Sequence, residues 1–172
     1  MVGWGLVAAA VAFFVLTTRP STPTSLGFDT TGLTDRWNAA AQASGRPELS
    51  IDPMVGTATP GVVGHAWSPD LRVVARTAED AGGEVVELVA VGNPGRDGAV
   101  DVTAVFDLVI QVVAPRLDGT GRQRILANLG LTDRNPPAEL HGSVSYDRFR
   151  FRATSSIDTG DLGIGVVPDL PA

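Results

Sequence analysis

From Met1 to Thr18 the chain reads MVGWGLVAAAVAFFVLTT, and no charged side chain occurs before Arg19. A hydrocarbon core about 30 Å thick calls for roughly 20 apolar helical residues, within a range of about 17 to 25. A segment of this length at about 1.5 Å per residue reaches roughly 27 Å, the short end of spanning. Trp4 stands where an interfacial ring belongs. The competing reading is a cleaved secretory signal, which opens on basic residues and closes on a small-x-small site. Val2 to Gly5 carry no charge, and Leu16-Thr17-Thr18 fits a cleavage site poorly. Residues 1–18 therefore read as a transmembrane anchor or uncleaved signal. The missing basic flank points to a start codon further upstream. Arg19, taken alone, argues against an outward-facing body under the positive-inside bias.

Residues 19–27 contain Pro20, Pro23 and several hydroxyl side chains, with no apolar face to bury, and read as a linker. The remaining stretch, residues 28–172, has room for one domain. The whole chain is 44% hydrophobic and 19% charged, enough for a packed core. Its formal net charge of −6 argues against nucleic acid as a partner, since that contact needs clustered cations. No Cys is present, which removes thiol nucleophiles, thiolate zinc sites and an acylated cysteine. All thirteen basic residues are Arg, which removes a Schiff-base lysine and a P-loop lysine. A Lys-free chain rich in Ala, Val, Gly and Arg has the bias of a GC-rich bacterial genome.

Within the body, Leu33 to Gly45 predicts a helix, with Thr34 as its cap and Leu33, Trp37, Ala40, Ala41 and Ser44 along one face. Gly45 supplies a left-handed stop and Trp37 a core anchor. Three Val-rich stretches, 61–67, 71–77 and 84–91, predict an antiparallel meander turned at Ser68-Pro69-Asp70 and Ala81-Gly82-Gly83. Asn93 to Gly98 ends it. Val100 to Ala114 fits both a helical and an alternating pattern. Its length decides for a helix buried on most sides, with Thr103, Asp107 and Gln111 in one exposed polar line. Asp118 to Leu131 predicts a further helix that buries Ile125, Leu126 and Leu129, leaves Arg122, Gln123 and Asn128 outside, and ends at Gly130. In Arg148 to Ala153 two phenylalanines alternate with three arginines, and a bulge or turn near Asp147 must reconcile them with Val144 and Tyr146. A hairpin at Asp158 to Asp161 leads into Leu162 to Val167. The expected fold is α+β, with about five or six antiparallel strands packed on two or three helices.

Motifs that would fix a reaction are missing. G-x-S-x-G and H-E-x-x-H do not occur, and Gly160-Asp-Leu-Gly-Ile-Gly165 leads into a strand rather than a helix. His65 and His141, with Glu139, make a two-His-one-carboxylate metal site conceivable on paper. Such a site would suit a small hydrolase or metal-dependent enzyme. Asp107 would be a group of raised pKa if it faced inward. The feature with most weight is Arg148, Arg150 and Arg152, which on a strand share a face at about 7 Å spacing and can grip phosphate or carboxylate groups. Pairing with Glu84, Glu87 or a nearby Asp is the plainer use of such a row.

The layout of helix, meander, two helices and hairpin resembles a loose group of uncharacterised bacterial membrane-anchored or lipidated exported proteins. The residues that carry it are LTDRWNAAAQASGRPELSI, RILANLGL and FRFRATSSIDTGDLGIGVVP. The resemblance implies an export context and an α+β fold, and carries over no catalytic residue. Unlike the lipidated members this chain has no Cys to acylate, so residues 1–18 would hold it to the membrane. The resulting expectation is a noncatalytic, extracytoplasmic binding or assembly domain on the bacterial cell membrane, with no cofactor. Anionic lipid, wall polymer or a protein is the expected partner for Arg148, Arg150 and Arg152.

Overall fold

The computed structural model describes residues 25–78, 83–94, 101–131, 139–156 and 158–169. The anchor segment 1–18, linker residues 19–24, the hairpin tip at 81–82 and the loop 95–98 lie outside them. Among the described residues no helix is long and apolar enough to cross a membrane.

The fold is α+β. Helix α1 spans Thr30–Ala43, α2 Val102–Val113 and α3 Gly119–Asn128. The strands are β1 (Val55–Gly56), β2 (Val62–Ala66), β3 (Arg72–Thr77), β4 (Val85–Gly92), β5 (His141–Tyr146), β6 (Phe149–Ser155) and β7 (Leu162–Pro168). They form one seven-stranded sheet in the order β1-β2-β3-β4-β7-β6-β5, antiparallel throughout. The expected five or six strands become seven because β1 is only two residues long, too short to leave a periodic signal.

Each helix begins on an aspartate. Asp29, Asp101 and Asp118 accept hydrogen bonds from the first-turn N–H groups of Gly32, Thr103 and Gly121. The predicted cap at Thr34 is therefore corrected. Asp29 starts α1 a turn earlier, and the Thr34 hydroxyl instead donates to the Thr30 carbonyl within the helix. Helices α1 and α3 stop in the same way. Gly45 (φ 68°) and Gly130 (φ 77°) take the left-handed conformation, and the N–H groups of Arg46 and Leu131 reach back to Ala41 and Leu126. The helix stops expected at Gly45 and Gly130 thus hold in detail.

Helix α2 is the spine. Eight of its residues are buried, and it packs against α1, α3, β4 and β7. Its polar line is where the neighbouring helices fasten. The Ser44 hydroxyl donates to Gln111 Oε1 at 3.0 Å, and Arg122 Nε lies 2.9 Å from Asp107 Oδ1. Arg122, expected outside, is held inward by this pair and by donating to the Leu117 carbonyl.

The core lies between the helices and one face of the sheet. That face carries Val73, Ala75, Leu88, Ala90, Phe149, Phe151, Ala153, Ile164 and Val166, all buried with Trp37 and Phe106. Trp37 is fully buried, as expected of an anchor, and its indole N–H donates to the Leu49 carbonyl. Asn38 exchanges two hydrogen bonds with the backbone of Ile51, which fixes the 3-10 turn Pro47–Leu49 against α1. A register shift beside Arg76 and Thr77 lets Val85 and Leu88 both face the core although they differ in parity. Packing already begins at Leu26, which is buried and donates its N–H to Val85.

Candidate functional site: the second face of the sheet

Antiparallel pairing decides which side chains meet on the face away from the core. Opposite residues share a face, so one row across the sheet runs Gly64, Val74, Val89, Gly165, Arg152, Ser143. A neighbouring row runs Ala66, Arg72, Val91, Gly163, Thr154, His141. On the other flank lie Val62, Arg76 and Glu87, then Val167, Arg150 and Ser145. The middle of this face is valine and glycine. Arginines from β3 stand on one side of it and arginines from β6 on the other, three strand spacings or about 14 Å apart.

The charge on this face is opposite in sign to that of the chain. Among its strand residues and Asp169, the cations are Arg72, Arg76, Arg150 and Arg152, and the anions are Glu87 and Asp169. Glu87 is buried and paired with Arg76 at 3.1 Å. Asp169 pairs with Arg150. The Ser145 hydroxyl, and after it the Arg150 guanidinium, hold the Asp169 carboxyl below its usual range, with Arg152 adding to the pull.

Of the three arginines singled out by alternation, the structure brings two together and separates one. Arg150 and Arg152 are half-buried on β6 and both act on Asp169. Arg148 sits in the two-residue turn between β5 and β6, where Asp147 takes φ 55°. Its Nη2 donates to the Leu26 carbonyl at 3.5 Å, and its guanidinium lies 5.1 Å from the Phe149 ring centre. The turn therefore ends the row and directs Arg148 to the point where the chain enters the domain. The same turn explains the phase problem, because Tyr146 and Val144 pair directly with Phe149 and Phe151.

Arg72 and Arg76 were missed by sequence reasoning. They bracket three consecutive buried residues, Val73, Val74 and Ala75, so the clear alternation that marks Arg150 and Arg152 is absent from β3. Nor was it legible that β3 and β6 share one sheet. Beside Arg72 is a notch of about 30 Å³ lined by Thr57, Gly64, Ala66 and Val74 among others. Arg72 Nη1 donates to the Pro69 carbonyl at 3.4 Å, while its Nε–H is buried with no acceptor among the described residues. A notch of that size accommodates a water molecule.

The histidines do not converge. His65 is on β2 and His141 on β5, with β3, β4, β7 and β6 between them, about 24 Å across the sheet. His65 lies edge-on to Trp67 (5.0 Å between ring centres), which in turn tilts against Trp37 (5.8 Å). Burial lowers the pKa of His65 and Asp52 partly opposes the shift. His141 is exposed at the sheet edge, as is Glu139 just before it. Among the described residues no three His, Asp or Glu side chains are grouped to hold a metal ion.

Fold and site together define an α+β domain with arginines on the side of its sheet where no described helix packs, around valines that are themselves buried. Comparison with protein families, curated proteins and solved structures finds no match for the chain.

Proposed function

We propose that this chain is a noncatalytic binding or assembly domain, held to the bacterial cell membrane by residues 1–18 with its body extracytoplasmic. Its ligand is anionic and seats on the second face of the sheet against Arg150 and Arg152. The observation that carries the reading is the segregation of charge: four arginines and two acids on one face of a chain whose formal net charge is −6. Guanidinium forks bind phosphate and carboxylate oxygens in pairs. Arg72 adds a donor that has no acceptor within the described protein.

The tether is supported by the length and apolarity of residues 1–18 and is tested by fractionating the native full-length chain, where recovery in the soluble fraction ends this part of the reading. The face is tested with Arg150→Gln/Arg152→Gln, leaving Arg148 in place because it contacts Leu26. At low salt the double variant is expected to lose most of its association with vesicles containing anionic lipid, or with anionic wall polymer. Unchanged association with both, in protein that keeps its native circular dichroism, removes the arginine face as the site. The salt dependence should show the same split, since exposed charge contacts weaken as the Debye length falls to about 8 Å at physiological ionic strength.

A further inference from the structure

The two edges of the sheet differ. At one end β1 has two residues, preceded by Pro53 and followed by Pro60, which blunts it as a template. At the other end β5 has six, and its pairing with β6 is regular throughout. From His141 to Tyr146 it carries no Lys, Arg, Asp, Glu or Pro, the residues that usually guard an edge.

The turn sets the direction of its free hydrogen-bonding groups. Tyr146 and Phe149 flank a two-residue connection and therefore bond to each other across the hairpin. Six residues back, Ser155 donates its N–H to the Leu140 carbonyl, in the same phase. Even-numbered residues of β5 thus bond to β6, and His141, Ser143 and Ser145 turn their N–H and C=O groups outward. All three are exposed.

We infer that β5 is a self-pairing edge, and that its occupant is β5 of a second copy of this chain, added antiparallel to give one sheet across two protomers. A two-fold axis through Ser143 sets that residue opposite its own counterpart and His141 opposite Ser145 of the other copy. The three outward residues of each strand then exchange about six main-chain hydrogen bonds. Because the paired residues have the same parity, helices stay on one side of the joint sheet and arginines on the other. The two β6 strands come to lie about 14 Å apart, further than the Debye length of about 8 Å, so their arginines oppose the pairing little. A strand pair about 20 Å long is less than a standard interface of about 1,600 Å². Pairing is therefore weak in dilute solution and strengthened by confinement on a shared surface, a last step that rests on the proposed tether.

The test uses the full chain in zwitterionic vesicles, where the arginine reading plays no part. The chain has no Cys, so Ser143→Cys introduces a single thiol. Hydrogen-bonded partners in antiparallel strands have Cα atoms about 5.5 Å apart, within the disulfide range of about 4.4–6.8 Å. Mild oxidation is expected to give a covalent dimer. Thr154→Cys, on the same face but one strand further in, should give at least tenfold less. Adding Ser143→Pro to a His141→Cys/Ser145→Cys chain should lower its dimer yield by a similar factor, because that proline removes an outward N–H and leaves the bonds to β6 intact. Equal yields from positions 143 and 154, no dimer from natively folded Ser143→Cys protein, or a product containing a different protein would each overturn self-pairing. Repeating the pair at high concentration without vesicles should give the same ranking, so a failed tether and a failed edge are told apart.

Discussion

Phe151 and Arg152 are neighbours on β6, yet each belongs to a different surface. Phe151 is fully buried among Ile164, Val166 and the helices, whereas Arg152 lies half-buried on the side where no described helix packs. The same alternation of faces runs through the neighbouring strands, although β4 is buried at all eight of its positions. One face is a close-packed core whose residues are specified by volume. The other is a valine and glycine floor edged with arginines, specified by charge. Stability should therefore depend on the first face and recognition on the second, and substitutions one residue apart can separate them.

The largest effect is expected at Phe151→Ala. Removing a buried ring costs about 3–5 kcal/mol, which a lower denaturant midpoint with an unchanged slope would report. Arg152→Ala beside it should cost under about 1 kcal/mol. If the two variants lose comparable stability, the faces are not divided as described. Next in size is Gly142→Ala. A Cβ there would lie 2.6 Å from the Leu129 carbonyl oxygen, where α3 closes on β5. Relief requires the backbone of α3 to move, so a loss of about 1–3 kcal/mol is expected. Ser143→Ala, one residue on and exposed, should be near neutral by the same denaturant titration.

These contrasts also show what a sequence can reveal. The covered face was legible because helical and two-residue periods mark it directly. Leu33, Trp37, Ala40 and Ala41, then Ile125, Leu126 and Leu129, then Phe149 and Phe151 are all buried as their spacing requires. Glycine stops at 45 and 130 were legible because a left-handed residue leaves few alternatives. The second face was half legible. Alternation revealed Arg150 and Arg152, but it also placed Arg148 with them, because a strand period continues on paper through a turn. Arg72 and Arg76 escaped because membership of one face depends on strand order, which local pattern does not encode. For the same reason His65 and His141 looked combinable until β3, β4, β7 and β6 were found between them. Arg122 was misplaced because an ion pair to Asp107 spans two helices whose packing no periodicity predicts.

A smaller effect should come from His65, half-buried on the core side of β2 against Trp67. Burial depresses its pKa from the ordinary 6.5, so the folded state prefers the neutral ring. The stability this contributes is complete above 6.5 and is lost as pH falls through the lowered value. His65→Gln should flatten that slope in urea titrations run across the range. A slope unchanged by the substitution would place its source elsewhere.

The smallest effect on stability, and the one that most sharpens the comparison, is expected at the Arg150–Asp169 pair. The Arg150 side chain keeps 42% of its surface exposed, so Arg150→Gln should cost no more than about 1 kcal/mol. The Asp169 carboxyl is held below its ordinary 3.8, chiefly by the Ser145 hydroxyl and then by Arg150. Whatever stability that gives is present above 3.8 and disappears as pH falls below it. Ser145→Ala and Arg150→Gln should each raise the carboxyl titration, read from the Asp169 side-chain resonance against pH. Ligand association should separate the two variants. Arg150→Gln removes a cation that an anion would seat on, while Ser145→Ala leaves both arginines in place. If Ser145→Ala weakened binding to anionic vesicles as much as Arg150→Gln, the second face would be acting through its geometry rather than its charge.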